Sequence, residues 1–154
     1  MTDQVIVKTD FISNVNLEVI FAKGELNSPG RLIELLGDDI CFVVDQGFLR
    51  ARKDLLIDTA DSGWHSNTPN PLFVHGGGER NRTWNELRLL LVWFNKHHIK
   101  RTTTVVAVGG EATLNIAGAA AALWKSGIKW IAVPTSLQLI VNNHLLCANR
   151  FGFC

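Results

Sequence analysis

The sequence has almost no net charge: fifteen Lys and Arg stand against fourteen Asp and Glu, a formal +1 over 154 residues. No global field is available to draw in a polyanion, so nucleic acid is not an expected partner. Cysteines are few and odd in number, and Cys41, Cys147 and Cys154 lack CxxC spacing. A disulfide framework is excluded, the three read as small core residues, and a reducing cytoplasm fits. The N-terminal MTDQVIVKTD has neither a basic region nor a long apolar stretch, as a secretion signal requires. Long hydrophobic runs are also missing. The longest uncharged apolar segment, Ile131 to Leu146, is interrupted by Pro134, Asn142, Asn143 and His144. It falls short of the ~20 residues of a membrane span. HxxxH and HExxH spacings are absent, and the adjacent His97 and His98 point in different directions on a helix, so no metal site is expected from this chain.

What is present is apolar material: 47% hydrophobic residues with 19% charged ones, enough for one core and a single domain without metal or disulfide staples. Three β-branched runs stand out, Ile40 to Val44, Thr104 to Val108 and Trp130 to Val133. They are apolar throughout rather than alternating, the pattern of parallel strands covered on both faces. Pro71 to Val74 is a weaker member. Between them, Leu87, Leu90, Leu91 and Phe94 form a helical stripe behind a Thr83-Trp84-Asn85-Glu86 capping box. From Glu111 to Trp124 the chain is rich in small residues, which lets a helix lie close to a sheet, and Ser126-Gly127 is the expected stop, with glycine in the left-handed conformation. The alternation predicts an α/β layer. Upstream, Val5 to Val7 and Leu17 to Phe21 read as strands, Ser28-Pro29-Gly30 opens a helix through Leu36, and Thr59 to Asn70 is a loop.

In open parallel sheets ligands bind beyond the carboxyl ends of the strands. The residues at those positions are Asp45-Gln46-Gly47, His75-Gly76-Gly77-Gly78-Glu79, Gly109-Gly110-Glu111 and Pro134-Thr135-Ser136. Glycines, hydroxyls and acids there suit a nucleotide cleft. Gly109-Gly110 ahead of a helix lets the backbone and the first amides approach a pyrophosphate, whereas Glu111 in the first turn repels one. Asp45 reads as a ribose-binding carboxylate or, equally, as a helix N-cap.

The order of these motifs resembles the N-terminal domain of 3-dehydroquinate synthase and its sugar phosphate cyclase relatives. The segment VVAVGGEATLNIAGAAAALWKSGIKWIAVPTSLQLIVNN is similar to that family's GGGxxGDxxGFxAxxxxRGxxxxxxPTTLLxxxDxxxGGK, FVVDQGF to its strand and aspartate, and GGGERNRTW to its GExxK loop. The resemblance implies a Rossmann-like parallel sheet flanked by helices, with NAD as cofactor. It places Asp45 and Glu79 at the NAD ribose, Gly109 and Gly110 on the pyrophosphate loop, and Thr135 and Ser136 where paired threonines lie near the cofactor. Arg82, Asn115 and Asn142 fall on polar cofactor-site positions with altered residues: Arg for the lysine of GExxK, and Asn for two aspartates. Glu111 replaces the third glycine, Leu114 the fourth, Gly47 a ribose-contacting asparagine, Leu146 and Cys147 the glycine pair, and Ala148 the lysine that holds substrate phosphate.

Arg for Lys keeps a cation, and Asn for Asp keeps hydrogen bonding while dropping charge, so dinucleotide affinity is expected to weaken rather than vanish. Ala148 holds no phosphate. The family also binds a divalent metal through a Glu and two His of a C-terminal helical domain, which these 154 residues lack, so no catalytic residue is assigned. The expectation is a diverged NAD- or nucleotide-binding domain without complete cyclase activity on its own. The alternatives are one subunit of a split cyclase completed by another chain, or a remnant without discrete activity. Apolar Leu137, Leu139, Ile140 and Leu145 at the missing-domain face predict self-association or a protein partner.

Overall fold

The computed structural model describes residues 5–10, 16–21, 37, 39–51 and 70–136. Two strands, β1 (Val5–Asp10) and β2 (Asn16–Phe21), pair antiparallel. The remainder is a parallel sheet of β3 (Ile40–Asp45), β4 (Leu72–His75), β5 (Thr104–Gly109) and β6 (Trp130–Pro134), in the order β4-β3-β5-β6. The described connections contain the helices α1 (Gln46–Ala51), α2 (Trp84–Lys96) and α3 (Glu111–Leu123). The α/β class read from the three apolar runs is the observed one. Among the described residues no helix is long and apolar enough to cross a membrane.

The central strands are apolar on both faces because both faces are covered. Cys41, Val43, Val105 and Ala107 point to the side where Leu87, Leu90 and Phe94 of α2 and Leu114, Ala117 and Ala121 of α3 pack. Ile40, Phe42, Val44, Val106 and Val108 point to the other, against Phe48 and Leu49 of α1, Leu72 and Val133. The alternation follows from the two-residue period of a strand. Ala112 to Ala121 of α3 are all buried, as expected of a helix apolar around its whole circumference. Cys41 is a core residue, and burial, with the Asp39 carboxylate adding to it, pushes its thiol up to about 12.

Local signals set the helix ends. The Thr83 side chain accepts from the Glu86 amide at 3.3 Å, starting α2 where the capping box put it. The end of α3 differs from expectation. A 3-10 turn over Trp124–Ser126 follows the helix, and the left-handed residues are Lys125 (φ 48°) and Ser126 (φ 66°). Gly127, at φ 103° and ψ 129°, takes another conformation; its amide bonds the Trp124 carbonyl at 2.8 Å and the Ile128 amide reaches back to Ala121 at 2.9 Å. The turn is held by Trp124, which donates its indole N–H to the Ile99 carbonyl at 3.0 Å and meets Phe94 edge-on at 5.6 Å. This side-chain anchor fixes the turn one residue before the glycine. The expected helix from Ser28, most of the loop from Thr59, and Cys147 and Cys154 lie outside the described residues.

Candidate functional site

Register decides what the sheet presents at its carboxyl edge. Asp45 pairs with His75, Val44 with Val108, and Gly109 with Pro134. The four strands therefore end side by side in His75, Asp45, Gly109 and Pro134. The chain leaves each of them through a loop or helix start, and the Thr135 amide bonds the Gly109 carbonyl at 3.1 Å. Asp45, Gly109, Gly110, Thr135 and Ser136 are thus brought to one edge.

Asp45 is the centre of this edge. Its Oδ1 accepts from the amides of Gly47 at 2.7 Å and Phe48 at 3.2 Å, so the carboxylate caps α1. Its Oδ2 accepts from the Thr113 hydroxyl at 3.1 Å, in the first turn of α3. Of the two roles open to Asp45 in the sequence, the cap is realised. It leaves a position at Oδ2, because a carboxylate oxygen accepts two hydrogen bonds and Thr113 supplies one. The surrounding glycines are required by this packing. A Cβ at Gly109 would lie 2.6 Å from the Asp45 Cβ, and one at Gly77, where φ is +69°, would overlap the Asp45 carboxylate. Gly110 is different. Among the described residues, and leaving aside its chain neighbours, the nearest atom to a Cβ there is Asp45 Oδ2 at 4.0 Å, so none of them crowds the backbone at that point.

Behind Asp45 lies a buried relay that the sequence reading did not assign. Thr113 Oγ1 is 2.8 Å from His75 Nδ1, and His75 Nε2 is 3.1 Å from the Asn81 carbonyl oxygen. That oxygen only accepts, so Nε2 carries the hydrogen and Nδ1 accepts from the Gly77 amide at 3.2 Å. The single Thr113 hydroxyl hydrogen thus faces two acceptors, the imidazole and the carboxylate. Asn81 ties the loop down by donating from Nδ2 to the Gly77 carbonyl at 2.6 Å. A signal for Thr113 existed: it precedes Ala117 and Ala120 at helical spacing on the buried face of α3.

Of the other predicted residues, Glu79 and Arg82 meet in a second cluster with Glu111. Arg82 pairs with Glu79 at 2.6 Å and with Glu111 at 3.3 Å, one guanidinium between two carboxylates. Its Nε is buried without a hydrogen-bond partner among the described residues, as is Nδ2 of Asn115, a residue 1% exposed. Glu79 is spent on Arg82 from a largely exposed position and is not drawn to Asp45 by any shared contact. Gly110, the N-cap of α3, supplies no side-chain cap, which leaves the first-turn amides to other acceptors. Thr135 and Ser136 are exposed. Asn142, and the apolar Leu137, Leu139, Ile140 and Leu145, lie outside the described residues.

Residues 72–144 match the family model described as 3-dehydroquinate synthase N-terminal. The chain is 29% identical over 128 residues to the 3-dehydroquinate synthase of Jannaschia sp. (strain CCS1), covering 82% of this chain and 34% of that protein. It is 38% identical over 60 residues to that of Staphylococcus aureus (strain MSSA476), covering 39% of this chain and 17% of the relative. Among solved structures, 2-deoxy-scyllo-inosose synthase, crystallised with carbaglucose-6-phosphate, NAD+ and Co2+, superposes with a TM-score of 0.63 at 23% identity, over 86% of this chain and 35% of that one. The 2-epi-5-epi-valiolone synthase of Streptomyces hygroscopicus subsp. jinggangensis, with NAD+ and Zn2+ bound, gives 0.65 at 18% identity, over 87% and 36%. The chain therefore spans about a third or less of the length of the proteins it matches.

Proposed function

We propose that this chain, whose residues 72–144 match the family model described as 3-dehydroquinate synthase N-terminal, is a nucleotide-binding domain of the NAD type that does not complete a cyclase reaction on its own. The observation that carries this reading is the opening at Gly110. There, among the described residues, backbone without a covering side chain and a helix N-terminus without a side-chain cap stand next to a carboxylate oxygen with an acceptor position left. Helix N-terminal amides suit a phosphate, and a carboxylate suits ribose hydroxyls. Asn115 Nδ2 and Arg82 Nε, without an acceptor among the described residues, are further donors.

In this reading Asp45 accepts from a ribose hydroxyl, with Thr113 and the α1 amides fixing its plane. The Gly110 backbone and the α3 amides face the pyrophosphate, and Thr135 and Ser136 offer hydroxyls from the neighbouring strand end. Bound NAD supplies a hydride acceptor. In this reading a sugar phosphate presented to these 154 residues alone is expected to release no phosphate.

The test is titration of NAD+ while tryptophan fluorescence and the melting temperature are followed. A ligand that binds only the native state stabilises it by about 2.7 kcal/mol at a hundredfold excess over Kd, roughly 5–10 °C for a chain of this size. An unchanged melting temperature and fluorescence at about millimolar NAD+ overturns the reading, since that concentration reaches even affinities near −4 kcal/mol.

A further inference from the structure

Resting on that reading, we infer that Glu111 is the specificity-determining residue of the site: held by Arg82 at the first turn of α3, its carboxylate is a built-in anion that weakens the hold on a diphosphate and leaves the hold on an uncharged nucleoside unchanged. Three observations converge on it. Glu111 is the first residue of α3, beside the open Gly110 backbone, and its side chain is only 32% exposed. Its Oε1 lies 3.3 Å from Arg82 Nη1, while Nη2 of the same guanidinium is engaged by Glu79 at 2.6 Å. One cation is therefore shared by two carboxylates, and the Asp45 carboxylate stands nearby with Oδ2 4.0 Å from a Cβ built on Gly110. The cluster is net negative at the point where the helix end alone would be positive.

A diphosphate arriving there must either accept Glu111 as a like-charged neighbour or break the Glu111–Arg82 pair and take Arg82 for itself. An uncharged nucleoside does neither. The buried, unpartnered Nε shows that the guanidinium has donor capacity which its two acids leave unused. Removing Glu111 frees Nη1 as well. An acid in a first helical turn also stabilises its own helix. That structural role accounts for a change in melting temperature on substitution, but not for a change that depends on the charge of the ligand.

Binding of NAD+ and of adenosine is measured for the wild type, Glu111→Gly and Glu111→Gln at one ionic strength, with the melting temperature of each unliganded protein as the control for folding. Glutamine keeps the volume and removes the charge, so it serves if the glycine variant does not fold. NAD+ is expected to bind about tenfold tighter to both variants than to the wild type, by loss of one close like-charge contact. Adenosine is expected to bind all three about equally. Equal or weaker NAD+ binding by the variants overturns the inference while leaving the dinucleotide reading in place, and so does an equal gain for adenosine. Absence of NAD+ binding by all three proteins overturns the reading and the inference together.

Discussion

Strand β3 carries an aspartate at each end, and the two are held differently. Asp39, just before the strand, accepts from the hydroxyls of Thr102 at 2.6 Å and Thr103 at 2.7 Å, and its carbonyl takes the Thr104 amide at 2.9 Å. It staples the loop before β5 to the start of β3 and lies exposed to solvent. Asp45, at the far end, is half-buried, caps a helix, meets a hydroxyl from the first turn of α3, and is pressed against the backbone at Gly77 and Gly109. A side-chain staple on the surface needs only two hydroxyls. A carboxylate set into a crowded strand edge needs glycines around it, and the same glycines leave backbone open beside it at Gly110. The contrast separates an end of the sheet that is stapled shut from the one at which the proposed reading places a ligand.

Substitutions at the crowded end should have the largest effect. Gly77→Ala introduces a methyl group into the space of the Asp45 carboxylate at a backbone angle, φ +69°, that a side chain rarely adopts. Overpacking and strain together are expected to destabilise the fold by about 3 kcal/mol, read from urea unfolding. At the other end, Thr102→Val removes one exposed hydrogen bond and is expected to cost about 1 kcal/mol or less. Similar losses from the two variants would erase the distinction between the ends.

A smaller effect tests function rather than packing. Asp45→Asn retains an oxygen for the Gly47 and Phe48 amides, and its amide nitrogen donates to the Thr113 hydroxyl, whose hydrogen then passes to His75. The fold is expected to lose less than about 1 kcal/mol, while NAD+ binding weakens about tenfold because the acceptor beside Gly110 has become a donor. Asp39→Asn is expected to leave NAD+ affinity unchanged. If both variants, or neither, alter binding, the carboxyl edge has no special part in it.

Much of this layout is legible in the sequence where one physical cause dominates. Ile40 to Val44 and Thr104 to Val108 read as buried strands because both faces are covered, and Leu87, Leu90 and Phe94 read as a helix because one face is. The edge strand β4 is fainter, since only His75 among its four residues is buried. Helix α1 is legible only through Asp45 as a candidate N-cap, because none of its six residues is fully buried and the half-buried Phe48 and Leu49 are too few to make an apolar stripe. Asp45 is readable as an acid at a strand end, but its alliance with Thr113 and His75 depends on register between strands 30 or more residues apart and on which face α3 turns inward. Arg82 and Glu111 likewise meet across 29 residues, so their pairing appears only when β4 and β5 are brought to the same sheet.

The least costly way to sharpen the contrast is acid. The Thr102 hydroxyl, then that of Thr103, holds the Asp39 carboxyl below the usual aspartate range; the slight loss of solvent works the other way, and Lys100 adds a little in the same direction as the threonines. Because the folded-state value is depressed, this carboxylate contributes stability that is fully present above the unfolded value, near pH 4, and is lost as pH falls through the folded one. Exposure to solvent screens the interaction, so the loss is expected to be about 0.5 kcal/mol or less. It should show as a small difference between the wild type and Asp39→Asn that narrows as the pH is lowered below about 4. The direct measurement is the carboxyl titration followed by NMR. In the Thr102→Val, Thr103→Val double variant, Asp39 should move up toward the ordinary aspartate range, because the two hydroxyls that favour its charged form are gone while the small desolvation remains. An unmoved titration would mean that the threonines do not hold this carboxylate in solution, and the amino end would then lose its claim to be the stapled one.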